Sequence, residues 1–96
     1  MRNKVQQYVY VLADDERPSR CKVGVTQNPH QRLKSHRSTT PRVFFYSLYE
    51  VPTRAFERKV ISHLKDIFTV HSEYVTANPE IVSRIIEGLL EDVQHT

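Results

Sequence analysis

Lys22-Val23-Gly24-Val25-Thr26-Gln27-Asn28-Pro29-His30-Gln31-Arg32-Leu33 is the stretch whose reading decides the fold. With Cys21 before it, the first part alternates: Cys21, Val23 and Val25 take one face, Lys22, Gly24 and Thr26 the other. That period of two is a strand signature. Asn28-Pro29 then opens a helix, because an Asn side chain caps the free N–H groups of a first turn and Pro is preorganised at the first helical position. The helix runs to about Arg37 and places Arg32 and His36 one turn apart on a common face. Ser38 to Pro41 breaks it.

The flanking segments supply partners for this unit. Val5 to Leu12 alternates, with Tyr8, Tyr10 and Leu12 facing one way and Val9 and Val11 the other, so it reads as a strand. Ala13 to Ser19 is polar and holds Pro18, a loop that joins the two strands as an antiparallel hairpin. Val43 to Val51 is rich in aromatics and predicts a third strand. Pro52-Thr53 predicts the start of a long helix to about Phe68, with Phe56, Val60, Ile61, Leu64 and Phe68 in its apolar stripe. Glu73 to Val75 is a short extended piece, and Asn78-Pro79 caps a last helix. In that helix Ile81, Val82, Ile85, Ile86, Leu89, Leu90 and Val93 recur at helical spacing. The expected class is α+β: a small antiparallel three-stranded sheet packed with about three helices, one domain over residues 1–96. A chain this short buries only about two-thirds of its unfolded surface, which leaves no room for a second core.

Composition removes several functional classes. No apolar run approaches the roughly 20 residues of a membrane span, and Met1 to Gln7 lacks the apolar centre of a secretory signal. A cytoplasmic protein without a membrane partner is expected. The single cysteine, Cys21, excludes an internal disulfide, and its strand position reads as a small buried residue. Histidines 30, 36, 63, 71 and 95 form no zinc-binding pattern. The net charge of +3 says less than its distribution. Arg17, Arg20, Lys22, Arg32, Lys34, Arg37 and Arg42 fall together, with no acid between Glu16 and Glu50. The plain reading is a solvated basic face. The sharper one is a footprint for phosphates, with Arg20, Lys34, Arg37 and Arg42 touching nucleic acid.

Ala55 to Leu64 carries the second informative feature. Glu57, Ile61, Leu64 and Phe68 are spaced so that the carboxylate lies on or beside the stripe to be buried. An unpaired charge there is costly, and neither Arg54 nor Arg58 shares its face. Either the stripe edge there stays wet, or its partner is a cation from elsewhere in the fold, such as Arg32 or Lys22, or a metal ion bridged to a phosphate. Gly24 offers no side chain, so a ligand can approach the backbone beside Tyr10 and Lys22. Taken singly, Tyr10 is a half-buried strand aromatic, and Lys22 and Arg32 are exposed charges.

The order of these residues resembles the GIY-YIG endonuclease superfamily, in its small phage-associated branch. Tyr8-Val9-Tyr10 stands at the first signature, Lys22-Val23-Gly24 at the second with lysine replacing tyrosine, and Arg32 and His36 at the helix positions. Glu57 matches the metal-binding glutamate, and His63 and Ser72-Glu73-Tyr74-Val75 fit the phage-associated branch. The match covers about residues 8 to 76. Val25 departs from the basic residue usual after the signature glycine, and the family's late asparagine has no clear counterpart; Asn78 reads as a helix cap.

The resemblance implies hydrolysis of a phosphodiester in DNA, ranked ahead of RNA, with low sequence selectivity. One divalent ion, Mg²⁺ or Mn²⁺, would be held by Glu57. Tyr10, Lys22, Arg32, His36 and Glu57 form the implied catalytic set. Arg32 would stabilise transition-state charge and Tyr10 would orient or deprotonate the water. Lys22 would lower the Tyr10 pKa or contact phosphate, and His36 would shuttle a proton. Glu73 is assigned a surface role, with metal assistance as the alternative. Two rivals stand beside this: a nucleic-acid-binding module without catalysis, and a phage or mobile-element protein that binds a host protein. Phe44, Phe45, Tyr46 and Tyr49 are the candidate face for a homodimer.

Overall fold

The computed structural model describes residues 7–51 and 54–94. The expected starts at Val5 and at Pro52-Thr53, and the side chain of Val93, lie outside what it describes. The elements in order are β1 (Gln7–Asp14), β2 (Cys21–Thr26), α1 (Pro29–Arg37), β3 (Val43–Val51), α2 (Arg54–Ile67), β4 (Val70–His71), β5 (Tyr74–Val75) and α3 (Pro79–Gln94).

β1 and β2 form the antiparallel hairpin that their alternation requires, with Val9 opposite Val25, Tyr10 opposite Gly24 and Val11 opposite Val23. β3 pairs antiparallel with the other edge of β1 through a register shift between Val11 and Leu12. The sheet is larger than the three strands expected. It has five, in the order β3-β1-β2-β5-β4, although the α+β class with three helices stands. β4 and β5 have two residues each, too few for a period-two pattern to register. They become strands because β2 has a free edge: Cys21 and Lys22 pair with Val75 and Tyr74.

The sheet separates its two faces by composition. Val9, Val11, Val23 and Val75 pack with Phe56, Val60 and Leu64 of α2 and with Val82 and Ile86 of α3. This is the main core, and Cys21 is buried in it. Burial pushes the Cys21 thiol up to about 12, so it is an inert packing residue. On the opposite face Tyr10 and Leu12 are also buried, under α1. That helix buries none of its own residues fully. Its start is fixed by Asn28 Oδ1, which accepts from the Gln31 N–H at 3.2 Å. Arg32 and His36 bond from it to Tyr10 of β1, and Arg37 to the Val43 carbonyl of β3.

Candidate functional site

Tyr10 leaves β1 on the face away from the main core and lies over Gly24, its ladder partner. A Cβ on Gly24 would collide with the phenol oxygen and stand 2.6 Å from Tyr10 Cζ and 2.9 Å from Glu73 Oε1. The absent side chain is therefore the space in which the phenol sits. The ring itself is wholly buried, with His36 edge-on and Phe45 tilted against it, both centroids at 6.0 Å.

The α1 spacing delivers Arg32 and His36 to this phenol. Arg32 Nε donates to Tyr10 Oη at 3.2 Å, and its Nη2 donates to Glu73 Oε2 at 3.3 Å. Tyr10 Oη donates to Glu73 Oε1 at 3.0 Å. Lys22 Nζ lies 3.1 Å from His36 Nδ1, and His36 Nε2 lies 3.3 Å from Tyr10 Oη. The directions follow from donor chemistry. An ammonium only donates, so Nδ1 accepts, and the neutral ring carries its proton on Nε2, aimed at the phenol oxygen. Tyr10 Oη thus accepts twice and donates once, and its hydrogen-bonding capacity is filled.

The electrostatics agree with this closed arrangement. Burial pushes the Tyr10 phenol up to about 12; Glu73 adds to the rise, while the bond from Arg32 works against it. His36 is held below its ordinary value, first by burial and then by the nearby Lys22 and Arg32 charges, with Glu73 opposing them. The cation against the phenol is Arg32; Lys22 reaches it only through the imidazole. Arg32 is raised by its bond to Tyr10 and by Glu73.

Glu73, left outside the candidate set by sequence reasoning, is bonded to both Tyr10 and Arg32. The turn between β4 and β5 places it there: Ser72 has a positive φ of 59°, which is uncommon for a residue with a side chain. The Glu73 carbonyl accepts from the Val23 N–H at 2.9 Å, fastening the turn to β2. The available signal was Ser72-Glu73-Tyr74-Val75, a piece too short to reveal that it joins the sheet.

Glu57 arrives from α2, on the other side of the sheet. It is half-buried and forms no ion pair among the described residues. It lines an open cleft of about 290 Å³ with Gly24, Ser72 and Glu73. The cleft therefore connects Glu57 to the Tyr10–Arg32 cluster at the bare strand position. Among the described residues no group of three or more His, Cys, Asp or Glu could cage a metal. A half-exposed, unpaired carboxylate beside an open cleft fits an ion that takes one or two carboxylates and fills its shell with water and phosphate oxygens, as Mg²⁺ does.

The basic residues are more dispersed. Arg20 stacks over the Tyr74 ring at 4.6 Å, and Lys22 Nζ lies 5.1 Å from the same centroid. Arg37 is exposed and donates from Nε to the Val43 carbonyl at 3.0 Å. Arg42 pairs with Asp15 at 3.2 Å and Glu16 at 3.9 Å, and Lys34 is exposed on α1. Phe44, Tyr46 and Leu48 are exposed along β3, whereas Phe45 packs on Tyr10. The Tyr49 hydroxyl turns to Glu87 at 2.6 Å. No helix among the described residues is long and apolar enough to cross a membrane.

The family model of the T5orf172 domain matches residues 7–90, which spans both faces of the sheet and every residue of the cluster. No curated protein and no solved structure matches the chain.

Proposed function

We propose, from the premise that the chain belongs to the T5orf172 domain family, a phage-associated, nuclease-like and DNA-binding family, that it is a metal-dependent endonuclease of GIY-YIG type acting on DNA. The observation that carries this reading is the convergence of Tyr10, Arg32, His36 and Lys22 around Gly24, with Glu57 opening on the adjoining cleft.

In this mechanism the Arg32 guanidinium binds the scissile phosphate and stabilises charge that builds on its oxygens, at full strength only in the transition state. Tyr10 holds the attacking water. The His36 N–H holds the phenol oxygen in place while the water that this oxygen orients forms its bond to phosphorus, its proton passing to solvent as the bond to the leaving oxygen breaks. Lys22 keeps His36 in the tautomer that donates to the phenol oxygen. Glu57, with Glu73 beside it, would hold one Mg²⁺ or Mn²⁺, which supplies charge neutralisation at the leaving oxygen. Arg20, Lys34 and Arg37 would track the backbone, giving affinity without reading bases.

The test is cleavage of a labelled DNA duplex and a labelled single strand with Mg²⁺ or Mn²⁺, against EDTA controls. Cleavage that disappears in EDTA and in Glu57→Ala and Arg32→Ala supports the reading; no cleavage of any substrate by the unaltered protein overturns it. A binding module without turnover is the second reading, favoured by the carboxylate of Glu73 resting on Arg32. It expects salt-dependent DNA binding with no products.

A further inference from the structure

We propose that Glu73 is an internal stand-in for the substrate phosphate, a latch that keeps the resting site closed until nucleic acid displaces it. This rests on the nuclease reading and adds a regulatory step to the same site.

The argument begins with what Glu73 touches. Its two oxygens accept from two different groups, Oε1 from the Tyr10 hydroxyl at 3.0 Å and Oε2 from Arg32 Nη2 at 3.3 Å. Arg32 has no other acidic partner among the described residues. An anion bridging a guanidinium and a phenol makes the contacts a phosphate's oxygens would make there. While it stays, Tyr10 Oη is saturated: its proton points at Glu73, and its acceptor capacity goes to Arg32 and His36. A water entering the cleft finds no acceptor on that oxygen, so the resting phenol cannot orient it for attack. A phosphate that draws Arg32 away frees one acceptor position and separates the guanidinium from Glu73 together. The exchange makes and breaks ion pairs only.

The latch is built to open. The side chains of the pair are 42% and 36% exposed, so solvent screens it and it holds weakly. Glu73 sits on a two-residue turn at the end of the sheet, where a side-chain swing disturbs little packing. The cleft beside Glu73 is open, so the displaced carboxylate has solvent to move into.

Glu73 is on this view a positioning residue, acting through Arg32 and Tyr10. The experiment compares the full chain with Glu73→Gln, which keeps shape and loses charge, and Glu73→Asp, which keeps charge and loses reach. Affinity for a short fluorescent DNA duplex is measured in EDTA, so that cleavage does not compete. Ultraviolet titration of tyrosinate follows the slowest-ionising phenol, and thermal melting confirms folding. Glu73→Gln is expected to bind about 3- to 10-fold tighter at equal salt, the scale of a half-exposed ion pair with a charge-assisted hydrogen bond. Glu73→Asp is expected to fall between it and the unaltered chain, and the last tyrosine is expected to ionise at lower pH in Glu73→Gln. Equal or weaker duplex binding by Glu73→Gln, or an unmoved phenol titration, overturns the latch while leaving the nuclease reading standing. No binding by any of the three proteins overturns both.

Discussion

Gly24→Ala tests the site through packing alone. The added methyl would strike the Tyr10 hydroxyl oxygen and stand 2.6 Å from Cζ. The ring cannot swing aside, since it is fully buried between His36 and Phe45. Either β2 shifts or the phenol is driven off Glu73 and Arg32. Overpacking costs about 1–3 kcal/mol, and losing a hydrogen bond to a charged group about 1.5–3 kcal/mol. Only part of each is lost, so about 2–4 kcal/mol is expected in sum. For a domain of this size that lowers Tm on the order of 10–20 °C. Gly88→Ala is the matched control. Nothing lies within 4 Å of its added Cβ, in the exposed interior of α3, so it should stabilise by roughly 0.5–1 kcal/mol. The assay is circular-dichroism melting with tyrosinate titration. If Gly24→Ala melts with the unaltered protein and its phenols ionise unchanged, the tight seat of Tyr10 over Gly24 is wrong, and with it the geometry of the cluster.

Glu57→Ala should abolish metal-dependent cleavage while moving stability by less than about 0.5 kcal/mol, since the carboxylate has no ion pair to lose; a collapse in Tm would assign Glu57 a structural role. Arg32→Ala should lower turnover about a hundredfold or more, by analogy with a lost oxyanion donor, and a rise in KM with turnover intact would contradict that role. His36 is held neutral in the fold below its ordinary value of 6.5. The unfolded chain therefore binds more protons in that window, and stability falls as pH drops below the unfolded value and through the folded one. Melting from neutral to mildly acidic pH should show a steeper loss for the unaltered protein than for His36→Gln, and parallel slopes would refute it.

Much of this was legible in the residues themselves. Alternation in Tyr8 to Leu12 and Cys21 to Thr26 assigned side chains to faces, and the faces hold: valines in the core, Tyr10 across from them. Asn28-Pro29 set the start of α1, and that start fixes where Arg32 and His36 point. Glu57 stood out because an acid beside an apolar stripe requires a reason. Of the two short strands, Tyr74-Val75 was read only as an extended piece and Val70-His71 was not read as a strand, for a physical cause. Val70-His71 and Tyr74-Val75 are extended because they complete a neighbour's hydrogen bonds, a tertiary cause that leaves no period. Glu73 was missed with them, because its reach to Tyr10 depends on the positive-φ turn at Ser72 and on the pairing of β5 with β2. The Lys22 contact with His36 was beyond reach for the same reason, being set by how α1 settles on the sheet.

β1 inscribes stability and chemistry on alternate letters of one word, with Val9 and Val11 turned inward and Tyr10 turned to the cluster. With the hairpin to β2 holding Val11 and Leu12 in place, inserting a single residue between Tyr10 and Val11 would carry the phenol into hydrocarbon and Val9 out to the opposite face. The word therefore tolerates no odd change of length inside it.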